Sequence, residues 1–173
     1  MHPAFALTRT RLTETRSELE TFFQADKERL APSEADRAAS AVWVRTVARA
    51  SGIEGVYTGM ENVLKELLNV VDKGVFATSD SFHAQLLAQA SEKTDKRNAV
   101  IDKQLYEDLD ELRRFRHRER VNYRHVLRES FVNENMELLK KTFPSFEAQI
   151  VAFIESWEHK PKEEDEPTSS PKI

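Results

Sequence analysis

A chain of 173 residues, 39% hydrophobic and 32% charged, has the size of one domain and enough apolar content to bury a core. No apolar run approaches the roughly 18 residues of a membrane span, and the opening MHPAFALTRTRLTE lacks the basic-then-apolar layout of a secretory signal, so a cytoplasmic protein is expected. Cysteine is absent, which removes disulfides, thiol nucleophiles and thiolate metal sites together.

Only four glycines occur, and five of the six prolines lie near element ends or in the tail, which favours long helices. The first is predicted from about Ala4 to Arg29, with Phe5, Leu12, Leu19, Phe22 and Phe23 as its apolar stripe. Leu30-Ala31-Pro32 breaks it, and Ser33 with Asp36 forms a capping-box-like start for a second helix reaching Asp72. That helix carries Val44, Val47, Met60, Val63, Leu64, Leu67, Leu68 and Val71. Gly52, Gly55 and Gly59 interrupt it, either as a bend or as a surface stripped of side chains for close packing; the second is favoured because the apolar period resumes in phase beyond them.

Lys73-Gly74 ends this helix, and Thr78-Ser79-Asp80 starts a short third one carrying Phe82, Leu86 and Leu87. Residues 92–102 read as a polar connection. A fourth helix is predicted from Lys103 to about Phe131, and a fifth is marked by Phe143, Phe146, Ile150, Phe153, Ile154 and Trp157, with Pro144 at its first turn or at a kink. The expected fold is an all-α antiparallel bundle of about five helices over residues 1–158. The remaining 159–173 form a charged, Pro-rich tail of disordered composition.

Charge is concentrated in one place. Arg113 to Arg128 holds seven arginines against Glu119 alone, a formal +6 that leaves −10 for the rest of a chain totalling −4. An acidic body with one basic segment suggests a local anion site. At about 100° per residue from Leu105, the residues Leu109, Leu112, Tyr123 and Leu127 share one stripe, and Arg116 and Arg120 fall on it too, with Glu119 at its edge. A guanidinium in a core stripe is costly unless carboxylates or water meet it. Two readings stay open: an internal salt-bridge network, with Glu119 or an acid of the second helix, and an anion-lined cleft within the bundle or between subunits.

His117 and His125 flank the polar side and, among arginines, suit proton transfer or phosphate binding. His2, His83 and His159 stand apart and read as incidental surface residues. No HExxH-type spacing, Walker loop, GxGxxG or GxSxG is present, so neither a metal nor a cofactor is called for.

Two segments resemble the HepT-like group of the HEPN superfamily, small all-helical proteins that include ribonuclease toxins. LYEDLDELRRFRHRERVNY (Leu105 to Tyr123) is similar to that group's acidic-leucine lead-in, RFRH signature and following arginine and tyrosine, and YTGMENVLKELLNVVDKG (Tyr57 to Gly74) to its second long helix. The resemblance covers about residues 5–158. It implies a homodimer whose basic helices face a shared cleft, and a metal-independent ribonuclease using an R-x4-H-x-Y motif. By position the arginine is Arg116 and the tyrosine Tyr123, while the histidine position holds Val121. Arg116 and Arg120 would stabilise phosphate charge and His117 would move protons. Arg113, Arg114, Arg124 and His125 would bind RNA phosphate. The resemblance also implies a minimal nucleotidyltransferase antitoxin that attaches AMP to Tyr123. A catalytically silent module binding RNA, nucleotide or protein, and a scaffold with structural arginines, are the alternatives.

Overall fold

The computed structural model describes residues 3–30, 39–73, 82–121 and 127–159, with the side chains of residues 29, 30, 39 and 119–121 outside that description. Five α-helices follow in chain order: α1 (Ala6–Ala25), α2 (Ala39–Asp72), α3 (Phe82–Ser91), α4 (Lys103–Val121) and α5 (Glu129–Glu158). α1 follows a 3-10 turn at Pro3–Phe5 and runs into a π-helical turn at Asp26–Leu30. No strand occurs among the described residues, and the chain is all-α as expected. The proposed capping box at Ser33 and Asp36, the helix start at Thr78-Ser79-Asp80 and tail residues 160–173 lie outside the described residues.

Side-chain contacts fix the directions of the helices. Arg9 pairs with Glu158 at 3.1 Å and Arg16 with Glu147, so α1 and α5 run antiparallel. Arg45 meets Glu129 and Arg49 meets Asn133, so α2 and α5 run parallel there. Lys141 reaches Asp108 and Gln149 reaches Asp102, so α4 returns antiparallel to α5. The core these helices share is built from stripes at helical spacing: Leu105, Leu109 and Leu112 on α4, with Val132, Leu139, Phe146 and Ile150 on α5. The longest contribution comes from α2, where Ile53, Val56, Met60, Val63, Leu64, Leu67 and Leu68 are fully buried.

The glycines of α2 serve close packing. A Cβ on Gly59 would stand 2.6 Å from Thr15 Oγ1, and one on Gly52 would overlap the Phe22 ring. α1 answers with small residues at the same level: Thr8 and Thr15 occupy its buried stripe between Phe5, Leu12 and Leu19. Thr15 satisfies its hydroxyl on the Arg11 carbonyl at 2.8 Å, so the two helices approach without stranding that hydroxyl.

Three boundaries and one side chain differ from the sequence reading. α4 is helical to Val121, whereas Leu127 and Arg128 are not; Arg128 is extended (φ −86°, ψ 125°) and precedes the first turn of α5. Phe131 therefore belongs to α5, where its ring lies 5.5 Å from that of Phe115. Pro144 stands in the middle of α5, not at its start. It forfeits one backbone hydrogen bond, but it is exposed while Phe143 and Phe146 on either side are buried, so core packing holds the helix through it. Val44 is 54% exposed beside an exposed Trp43, so the buried stripe of α2 begins beyond it.

The connection 92–102 is polar in composition but anchored at its centre. Arg97 has no exposed side-chain surface. Its Nε and Nη2 donate to the two Asp72 carboxylate oxygens at 2.7 and 2.8 Å. The remaining N–H groups donate to the carbonyls of Gln89 (2.8 Å), Glu92 (2.8 Å) and Asn98 (3.2 Å), so all five guanidinium donors are used. Lys73, at φ 52°, ends α2 in the left-handed conformation of a helix C-cap. One side chain thus ties the end of α2, the end of α3 and the approach to α4, and α3 is held against the middle of the bundle.

Candidate functional site

Most of the positive charge on α4 is answered on α4 itself. Asp110 accepts from Arg113 Nε at 2.7 Å and pairs with Arg114 Nη2 at 2.6 Å. Glu111 pairs with Arg118 at 3.0 Å, and that guanidinium also lies 4.4 Å above the Phe131 ring. The acidic lead-in therefore neutralises the outer arginines at three- to seven-residue spacing. The exposed Arg118–Glu111 pair contributes little stability, about 0–1 kcal/mol.

Arg116 is different. Its side chain is only 12% exposed and points across the bundle to two acids of α2, Glu54 and Glu61. The second-helix acids foreseen as partners are these two. They stand at 3.8 and 3.6 Å, within ion-pair range yet too far for hydrogen bonds. The hydrogen-bond contacts of the guanidinium among the described residues go to His83 of α3, where Nη1 lies 3.2 Å from Nε2 and 3.5 Å from Nδ1. Its Nε is buried and has no hydrogen-bond acceptor among the described residues, so among them Arg116 is a sheltered cation with unused donors.

His83 corrects the sequence reading, which placed it as an incidental surface residue. It is 31% exposed, and its Nδ1 sits 2.9 Å from Oε1 of Glu61, whose side chain is 6% exposed. A guanidinium only donates and a carboxylate only accepts, so a ring with its proton on Nδ1 and its lone pair on Nε2 is an arrangement that meets both neighbours. Beside them the Tyr57 hydroxyl is buried without a hydrogen bond of normal geometry. Burial, and then the neighbouring Glu61 charge, push the Tyr57 pKa well above the ordinary phenol value, so it stays protonated.

The structure gathers Arg116 with Glu54, Tyr57, Glu61 and His83, holds the half-buried Arg113 beside Asp110 and near Tyr57, and leaves Arg114 exposed. His117 is exposed and has no hydrogen-bond or ion-pair partner among the described residues. Arg120 lies on the last turn of α4 with its side chain outside the description, and Tyr123, Arg124 and His125 lie outside the described residues altogether. Glu61 carried a signal that was passed over: an acid directly after Met60 in an apolar stripe, the same anomaly that marks Arg116 on α4. Among the described residues no group of three His, Asp or Glu side chains is placed to hold a metal ion. No described helix is long and apolar enough to cross a membrane.

Comparison with known proteins gives one match. A family model described as HepT-like protein matches residues 48–157, a span containing every residue of the cluster and the whole basic segment. No curated protein and no solved structure matches the chain.

Proposed function

Because the chain belongs to the HepT-like family of the HEPN superfamily, we propose that it is the toxin of a toxin–antitoxin pair, a cytoplasmic, metal-independent ribonuclease. Its partner in this reading is a minimal nucleotidyltransferase. One observation carries the ribonuclease reading: the Arg116 guanidinium, sheltered and loosely paired, with donors left for an anionic ligand. A phosphate oxygen is a stronger acceptor for it than a neutral imidazole, and charge developing on a phosphorane is what such a donor stabilises. Two copies would place their basic helices on a shared cleft, with Arg120, Arg124 and His125 extending the phosphate track and His117 available for proton transfer.

A second reading rests on Val121, which stands where the family motif has a histidine. Valine moves no protons, and a silent module that binds RNA, nucleotide or a partner protein would need none.

The pairing is tested by modification. Incubation with the neighbouring nucleotidyltransferase, ATP and Mg²⁺ is expected to add one or more AMP units, detected by mass, and Tyr123→Phe is expected to abolish the addition. The added phosphodiester brings negative charge among the arginines and should suppress RNA cleavage in parallel. Unchanged mass with an active transferase, or equal modification of the Phe variant, overturns the tyrosine assignment.

A further inference from the structure

We propose that His83 is the general base of RNA cleavage, with Glu61 as its positioning residue; the inference rests on the ribonuclease reading and supplies the proton acceptor that Val121 cannot. Three features of the cluster argue for it. The Glu61 carboxylate lies 2.9 Å from Nδ1 and favours the proton there, with the lone pair on Nε2. Nε2 lies 3.2 Å from Nη1 of the guanidinium that would bind phosphate. Of the two side chains His83 keeps the greater exposure, so substrate reaches the cluster from the imidazole side.

The step balances as follows. A phosphate oxygen takes the Arg116 hydrogen bond, which releases the Nε2 lone pair. Nε2 then accepts the proton of the ribose 2′-hydroxyl, and the 2′-oxygen forms its bond to phosphorus. The bond from phosphorus to the 5′-oxygen breaks, leaving a 2′,3′-cyclic phosphate. A water protonates the departing oxygen, and the imidazolium returns its proton to the hydroxide so formed. Neither metal nor redox partner takes part in this sequence.

The test is cleavage of a fluorescent oligoribonucleotide by the full chain and its His83→Ala variant, with and without added imidazole. The expected result is a loss of about 10²-fold or more in kcat, the scale of general acid–base catalysis, partly restored by imidazole. Imidazole does not repair a structural defect, so rescue separates a base from a scaffold. An active parent with an undiminished variant overturns this inference alone. A reduced rate that imidazole leaves untouched also overturns it, whereas an inert parent overturns the ribonuclease reading with it. Independently of activity, ¹⁵N NMR of the imidazole is expected to show the Nδ1–H tautomer at His83, lost in Glu61→Gln; the opposite tautomer in the parent overturns the proposed geometry.

Discussion

Arg116→Ala is expected to lower RNA cleavage by about 10²–10³-fold, the usual cost of removing one donor to a developing oxyanion. The loss should fall on kcat more than on KM, because the guanidinium meets more charge in the phosphorane than in the diester. Arg116→Lys keeps the charge but not the forked donors, and an intermediate rate is expected. Removing the guanidinium also leaves Glu54 and the buried Glu61 without their cation, so some destabilisation accompanies the Ala variant. Rates are therefore to be compared at a temperature where circular dichroism shows both proteins folded. A folded Ala variant that cleaves at the parent rate removes Arg116 from the mechanism.

The second large effect concerns stability. Arg97→Ala is expected to cost about 3–5 kcal/mol, the scale for breaking a buried charged pair, and to lower Tm by roughly 10 °C for a chain of this size. The five donors are all used in a site with no exposed arginine surface, and truncation leaves the Asp72 carboxylate with only the Gln89 hydrogen bond and removes the arginine donors from three carbonyls. The linkage sign follows from Asp72. The Arg97 hydrogen bonds, opposed by partial burial and aided by Gln89, hold its carboxyl below the usual aspartate value. A depressed folded pKa contributes stability that is complete above the unfolded value and lost as pH falls through the folded one. The gap between parent and variant should therefore narrow in acid. Equal urea midpoints for the two proteins at neutral pH would contradict the account.

What the sequence could reveal was governed by distance along the chain. Helical stripes such as Leu105-Leu109-Leu112 are local patterns, and they placed α1, the end of α2 and the start of α4 within a few residues. The glycines of α2 were readable as a packing surface because the apolar phase continued past them, and Thr15 against Gly59 is the physical outcome. Of the two places read for Pro144, the first turn, suggested because proline often marks helix starts, fails, and the buried flanks Phe143 and Phe146 show why this one sits mid-helix. Phe131 was drawn into α4 because nothing local announces that Leu127 and Arg128 are not helical. In the site, Arg116 was legible as a charge on an apolar stripe that needs carboxylates or water, with Glu119 or a second-helix acid as candidate partners. His83 was not: its role comes from contacts reaching back 22 residues to Glu61 and forward 33 residues to Arg116, which no spacing rule encodes.

The central claim is that an Arg–His–Glu cluster between α2, α3 and α4 cleaves RNA without a metal. Incubating the purified full-length chain with RNA in excess EDTA, followed by analysis of the fragment ends, tests it most directly. Cleavage that survives the chelator and leaves 2′,3′-cyclic phosphate on one fragment and a 5′-hydroxyl on the other is the expected result. Activity abolished by EDTA and restored by a divalent cation, fragments ending in a 3′-hydroxyl, or intact RNA after prolonged incubation would contradict it.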